Sequence, residues 1–273
     1  MKENRILQIW RILYPPLLYF VISYVVQLVG ILLLMQIHQG SAEILQDPQA
    51  LQEYVIRIYN ENAMLLTMIA ALLTIPICFF LYQKDRKRQK KEFGIQKQIS
   101  MLQWFLIALL GMAASISLND WIALSGIVLI FDGFEQVAEA LYGGNLWIEI
   151  LAIAIAAPLV EELLFRGLVY QRIRELANAR AAMILSALYF GVYHMNVVQG
   201  IYAFLLGILL AWVCEKYQTL WAPILFHAAA NFLSVIFTEG NFSYRISVVG
   251  VLLEIIISTG LMIYTIVRIH RTA

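Results

Sequence analysis

The chain alternates long runs of apolar residues with shorter polar segments. A helix needs about 20 mostly apolar residues to cross the hydrocarbon core of a bilayer. Eight runs approach or reach this length. The pattern therefore predicts an all-α, polytopic membrane protein with about eight transmembrane helices: Leu17–Met35, Ala63–Tyr82, Met101–Leu118, Leu146–Leu168, Ala182–Val197, Ile201–Cys214, Leu220–Phe237 and Ile246–Val267.

A ninth apolar stretch, Trp121–Phe131, is too short to span a bilayer and follows Asn119 and Asp120. We interpret it as a separate interfacial or re-entrant helix. We also expect the first run to be retained. Although Lys2, Arg5 and Arg11 precede it and residues 40–42 could mimic a cleavage site, the run exceeds the 7–15 residues of a signal peptide's apolar core.

Composition supports the membrane assignment. Hydrophobic residues make up 62% of the 273 positions and charged residues 14%, whereas soluble domains have roughly 45–50% and about 25%. So few charges cannot cover a water-exposed surface of this size. A net charge of +1 argues against a nucleic-acid partner. The two cysteines lie in apolar runs without the spacing of a structural zinc site or a disulfide framework.

The polar segments sort by charge. One set is basic: Lys2, Arg5, Arg11, Lys84, Arg86, Lys87, Arg88, Lys90, Lys91, Lys97, Arg172, Arg174, Arg180, Lys216, Arg268 and Arg271. The other set is mostly acidic, with Arg57 and Arg245 beside Glu43, Asp47, Glu53, Glu61, Asp120, Asp132, Glu135, Glu139 and Glu239. Because basic loops stay in the cytoplasm, we expect a multi-pass protein of the cell membrane with both termini cytoplasmic.

The predicted helices carry a small set of polar residues. Such residues are costly in a membrane and indicate a functional site. Their spacing adds detail. Residues four apart share a helix face, so Glu162 can neutralise Arg166, whereas Glu161 points about 100° away and has no partner in its own helix. The same spacing pairs His227 with Asn231 and Phe190 with His194.

This set of groups fits hydrolysis. A carboxylate in a low-dielectric site can take a proton from water with the help of a histidine. A second histidine and an asparagine can donate hydrogen bonds to the oxyanion that develops on a carbonyl. Alternatively, Glu161, His194 and His227 could hold zinc with one open position. The His-Glu-x-x-His pattern is absent, so spacing does not decide between the two.

Three segments in order resemble the motifs of the CPBP family, which includes type II CAAX prenyl proteases and bacterial Abi proteases associated with bacteriocin self-immunity. They are EELLFR at 161–166, FGVYH at 190–194 and HAAAN at 227–231. The resemblance implies that Glu161 is the general base and His194 its partner, that His227 and Asn231 stabilise the oxyanion, and that Glu162 and Arg166, with Phe190, support the site. Family descriptions include metal-dependent and metal-free forms. We favour the metal-free form, which needs no cofactor.

The resemblance divides the chain into an N-terminal transmembrane region with a basic cytoplasmic loop, a CPBP-like core and a C-terminal helix: 1–145, 146–237 and 238–273. It implies an intramembrane endopeptidase whose partners are a protein or peptide substrate and the lipid bilayer. Two other classes use similar residues: a non-enzymatic immunity or regulatory protein that binds a partner, and an ion-coupled transporter. The Glu162–Arg166 pair could be structural rather than catalytic.

Overall fold

The computed structural model describes residues 4–38, 47–88, 98–131, 133–142, 144–240 and 248–272. Residues 40–42, discussed above as a cleavage site, and Asp132 lie outside these ranges, as does the start of the last predicted span. The described residues form these helices: α1 (Arg5–His38), α2 (Pro48–Arg88), α3 (Met101–Leu124), α4 (Phe134–Tyr142), α5 (146–174), α6 (Ala179–Tyr193), α7 (Val197–Tyr217), α8 (Trp221–Glu239) and α9 (Val248–Thr272).

Each of the eight predicted spans lies mainly on one of these helices, although Ala182–Val197 runs past the end of α6 to the first residue of α7. Within the described ranges, six helices are long and apolar enough to cross a membrane: α1, α2, α3, α7, α8 and α9. The other two predicted spans fall on α5, which is not one regular helix, and on α6, which is apolar but only 15 residues long. The prediction of a polytopic helical membrane protein is confirmed, with six spans rather than eight meeting this length criterion.

The prediction of a separate helix over Trp121–Phe131 is wrong. α3 continues through Asn119 and Asp120 to Leu124, because neither residue interrupts the backbone hydrogen bonds of the helix. It ends where Gly126 adopts a left-handed conformation with φ of 71°, which glycine tolerates without steric cost. A single 3₁₀ turn, Ile127–Leu129, follows.

Side-chain caps mark the starts of several helices. Ser100 and Gln103 form a reciprocal capping box at the start of α3. Asparagine side chains accept hydrogen bonds from the first backbone N–H groups of α5, α6 and α7, which otherwise lack partners. These residues are Asn145, Asn178 and Asn196. The caps explain why short polar turns between apolar runs suffice to separate one helix from the next.

α5 is a composite helix. Its α-helical segments Leu146–Glu149, Ala157–Glu162 and Gln171–Arg174 are separated by two π-helical segments, Ile150–Ala156 and Leu163–Tyr170. Pro158 has no N–H to donate to the carbonyl of Ala154, which favours a wider turn at this point. π-helical turns change the direction in which side chains point and are frequent at functional sites. The interruption on either side of 157–162 therefore makes this stretch a candidate part of a functional site.

The core is centred on α5. Leu164, Phe165, Leu168 and Tyr170 are fully buried, and α5 packs against α1, α2, α6, α7 and α8. α3 packs against α8 and α9, while α1 packs mainly on α2. Close helix packing depends on glycine: a Cβ at Gly111 of α3 would collide with the Phe226 carbonyl oxygen of α8. The result is a bundle whose least regular helix lies at its centre.

Candidate active site

The two adjacent carboxylates end the short α-helical segment of α5 and have different surroundings. The Glu162 side chain is completely buried, whereas 15% of the Glu161 side chain is exposed. This agrees with the separation of about 100° between neighbouring residues on a helix. One carboxylate therefore faces the core, and the other is the more accessible of the two.

Glu162 and Arg166 form the ion pair that their spacing predicts. Arg166 Nη1 donates to Glu162 Oε1 at 2.9 Å, and Nη2 donates to the Gly207 carbonyl of α7 at 3.0 Å. The guanidinium lies over the Phe190 ring, 4.7 Å from its centroid. Both charged side chains are 0% exposed. A buried pair of this kind is costly to break, because the remaining charge has no water to solvate it.

His227 of α8 lies between the two carboxylates. Its Nδ1 is 2.9 Å from Glu162 Oε1, and its Nε2 is 3.7 Å from Glu161 Oε2. An ionised carboxylate only accepts hydrogen bonds, so Nδ1 is the donor and the ring orientation is fixed. The 3.7 Å separation is too long for a direct hydrogen bond. Nε2 is thus directed toward Glu161 while remaining available to a third group.

His194 does not lie inside a spanning helix, which corrects the prediction of a span over Ala182–Val197. It ends α6, and Met195 with φ of 56° and the cap Asn196 turn the chain into α7. His194 Nδ1 lies 2.8 Å from the Phe190 carbonyl. Because a carbonyl only accepts, Nδ1 donates, and Nε2 of the neutral ring can accept a hydrogen bond.

Phe190 supports three of the other groups. The His194 ring meets it edge-on at 4.8 Å between centroids, and the His227 ring meets it edge-on at 5.9 Å. The Arg166 guanidinium lies over the same ring. The sequence placed Phe190 beside His194 only. In the structure it links both histidines to the buried ion pair.

Asn231 is held by a backbone group. Its Nδ2 donates to the Ile153 carbonyl at 2.8 Å, within the first π-helical segment of α5. Its second N–H and its carbonyl oxygen can still bind another group. Asn231 lies one turn after His227 on α8, as its spacing predicts. Sequence reasoning missed the two carbonyl partners, at Gly207 and Ile153, because backbone groups carry no residue signature.

A zinc ion held by Glu161, His194 and His227 would need three donor atoms that converge on one point. Both histidines have Nδ1 committed to an acceptor and Nε2 available, which is the usual orientation of metal-binding histidines. However, no three His, Cys, Asp or Glu side chains in the described parts of the chain are arranged to hold a metal ion. The predicted alternative set of Glu161, His194 and His227 therefore does not fit a metal ion as these side chains stand.

Fold and site together define the class: a polytopic helical membrane protein with a buried cluster of carboxylate, histidine and arginine side chains. Residues 143–233 match the family described as type II CAAX prenyl endopeptidase Rce1-like. A relative from Bacillus subtilis (strain 168), named "Putative membrane peptidase YdiL", is 22% identical over 173 residues, which are 63% of this chain and 69% of that protein. No solved structure matches significantly.

These matches confirm the resemblance to the CPBP family that the three motifs carry. The family match points to a membrane protease of the CAAX type, and the named relative is likewise a membrane peptidase by its name. The region matched to the family contains all seven residues singled out from the sequence, and α1, α2 and α3 lie before it. The roles assigned to the individual residues remain predictions.

Proposed function

We propose that this protein is an intramembrane endopeptidase in which Glu161 activates a water molecule for attack on a peptide bond. The supporting observation is the position of His227, fixed by Glu162 at Nδ1 and directed at Glu161 through Nε2. In this proposal the two carboxylates have separate roles. Glu162 is committed to the buried framework, and Glu161 is the carboxylate free to react.

In the proposed reaction, Glu161 takes a proton from water while the water oxygen attacks the carbonyl carbon of the scissile bond. His194 orients the water through Nε2. The resulting oxyanion accepts hydrogen bonds from Asn231 and from His227. His227 must use Nε2 for this, because Nδ1 is committed to Glu162, so both ring nitrogens then carry protons. Glu161 finally passes its proton to the leaving amine as the C–N bond breaks.

The proposed mechanism is metal-free, and the substrate is a protein or peptide segment at the membrane. The family association extends the proposal to a role in bacteriocin self-immunity or in regulation. A non-enzymatic partner-binding role is the competing explanation. The two explanations differ in one respect that can be tested: only the protease needs the reactive carboxylate of Glu161.

The direct test is Glu161→Gln. Removing a general base lowers the rate by about 10²–10⁴-fold, so the peptide termini generated by this protein should disappear from the membrane proteome while the variant still inserts and folds. Glu149→Gln is the matched control. Glu149 lies on α5 and is fully buried, and glutamine can still accept the hydrogen bond that its Oε1 receives from Gly144. We expect Glu149→Gln to retain cleavage.

Wild-type peptide termini from Glu161→Gln would refute the mechanism. If a deletion phenotype is also fully restored by Glu161→Gln and by His194→Ala, the protein acts by binding rather than by cleavage. Elemental analysis of the purified protein tests the metal-free proposal separately. One zinc per chain that is lost in both His194→Ala and His227→Ala would show that the mechanism requires a metal.

A further inference from the structure

A polar network connects α1, which carries none of the three motifs, to α5. Pro15 in α1 has no N–H, so it cannot donate to the Arg11 carbonyl four residues earlier. Arg172, near the end of α5, donates its Nη1 to this carbonyl. The Arg172 guanidinium also lies 5.2 Å from the centroid of the Tyr14 ring. Because of the proline, the Arg11 carbonyl lacks its usual donor within α1 and accepts a hydrogen bond from Arg172 of α5 instead.

The same arginine joins α2 to this network. Arg172 Nε donates to Asp85 Oδ2 at 2.6 Å, and Arg11 Nη2 lies 3.4 Å from Asp85 Oδ1. Arg172 is 3% and Asp85 is 7% exposed, so the charges are largely removed from water. We call Arg11, Asp85 and Arg172 the α1 clasp. α6 is attached to the same part of α1, because the Tyr189 hydroxyl donates to the Leu13 carbonyl at 2.9 Å.

Tyr19 follows the clasp by about two helical turns and points into the protein. It is 4% exposed and stacks on Tyr193 of α6, with ring centroids 6.0 Å apart and planes 15° apart. Tyr193 in turn meets the His194 ring edge-on at 6.4 Å. By contrast, Tyr24 on the same helix is 63% exposed.

We propose that Tyr19 is a positioning residue of the candidate active site. Its ring supports Tyr193 and, through Tyr193, the adjacent His194. The α1 clasp fixes the position of Tyr19 along the axis of α6. This inference rests on the proposed protease function and extends the site to a helix outside residues 143–233. It assigns to α1, which otherwise packs mainly on α2, an effect on the reaction that is transmitted through Tyr193 of α6.

The first test compares Tyr19→Leu, which removes the ring, with Tyr19→Phe, which keeps it. The probe is an internally quenched peptide that spans a cleavage site found in the membrane-proteome comparison. The interaction energy of an aromatic pair corresponds to about two- to tenfold in rate. If it holds His194 in its reactive position, kcat of Tyr19→Leu should fall by up to about tenfold with unchanged KM. Tyr19→Phe should restore kcat, and the control Tyr24→Leu should resemble the wild type.

The second test acts on the clasp. Pro15→Ala restores an N–H that competes with Arg172 for the Arg11 carbonyl, so kcat should fall. Pro16→Ala is the matched control, because its N–H faces the Ile12 carbonyl instead, and it should leave kcat unchanged. These alanine variants preserve the helix, so they decide the question even if Tyr19→Leu lowers the unfolding temperature.

Three results would overturn the inference: wild-type kcat in Tyr19→Leu, a change in KM alone, or equal loss of activity in Tyr19→Phe. A change in KM alone would make Tyr19 a substrate contact, and equal loss in the phenylalanine variant would assign the effect to the hydroxyl. If Glu161→Gln is inactive while Tyr19→Leu is normal, only the positioning role fails. If Glu161→Gln cleaves normally, the proposed function fails first.

Discussion

At the scale of single residues, one oxygen atom of Glu162 takes part both in the buried ion pair and in the orientation of His227. Glu162 Oε1 accepts hydrogen bonds from Arg166 Nη1 and from His227 Nδ1, each at 2.9 Å. The first bond belongs to a fully buried ion pair, and the second orients a histidine toward Glu161. Loss of activity on substitution of Glu162 therefore has two causes that must be separated by measuring stability as well as cleavage.

We expect Glu162→Gln and Glu161→Gln to differ in stability. Glu162→Gln leaves the buried charge of Arg166 without its counter-charge, which should cost on the order of 3 kcal/mol of unfolding free energy. Glu161→Gln removes a charge that is not part of this ion pair and should unfold close to the wild type. Unfolding of both purified variants in detergent measures the difference. Equal stability of the two would contradict the distinct roles given to these carboxylates.

The sequence predicted the parts of the site that depend on local spacing. Residues four apart on one helix share a face, so the ion pair of Glu162 and Arg166 follows from the sequence. The contact between Glu162 and His227 joins positions 65 residues apart, and the carbonyls of Gly207 and Ile153 look like any others in a sequence. Such contacts depend on helix packing, which periodicity alone does not determine.

At the scale of elements, the irregularity of α5 is the main departure from the predicted pattern. Apolar periodicity predicts one span over Leu146–Leu168, whereas the helix changes between α and π geometry on both sides of 157–162. The hydrophobic pattern does not report this change, because the π-helical segment Ile150–Ala156 is an unbroken apolar run that would look the same in α geometry. Pro158 was the one local signal, since it cannot donate to the Ala154 carbonyl.

We expect Pro158→Ala to separate helix regularity from activity. The added N–H can donate to the Ala154 carbonyl, which favours a regular α-helix and changes the direction of the following carboxylates. Cleavage of the quenched peptide should fall by at least about tenfold, while the unfolding temperature should not decrease, since alanine costs a helix interior about 3 kcal/mol less than proline. Normal cleavage in this variant would show that the π-helical segment is unnecessary for the reaction.

At the scale of the whole molecule, the direction of α5 in the bilayer determines the side on which substrates are met. The positive-inside rule predicts that Arg172 and Arg174, at the end of α5, face the cytoplasm. Six of the predicted spans were recovered as long apolar helices, yet the orientation remains a prediction. Orientation depends on the side that each charged turn faces, and the packing of the helices against one another is the same in both orientations.

Cysteine labelling at the two ends of α5 tests this orientation. Trp147 is 72% exposed near its start, and Leu176 is 49% exposed just after its end. Trp147→Cys should react with a membrane-impermeant maleimide on intact cells, and Leu176→Cys only after permeabilisation. The native Cys78 and Cys214 are buried, so background labelling should be low. The reverse pattern would place both termini outside the cytoplasm.

The contact of Gly111 with the backbone of Phe226 has a consequence for genetics. A methyl group at position 111 would collide with the Phe226 carbonyl, and the next residue on α8 is His227. Displacement of α8 would move the imidazole relative to both carboxylates, although no polar atom had been altered. A genetic selection for inactive alleles should therefore recover substitutions at Gly111 as well as at Glu161. Such alleles would show that α3 is required for function although it carries none of the three motifs.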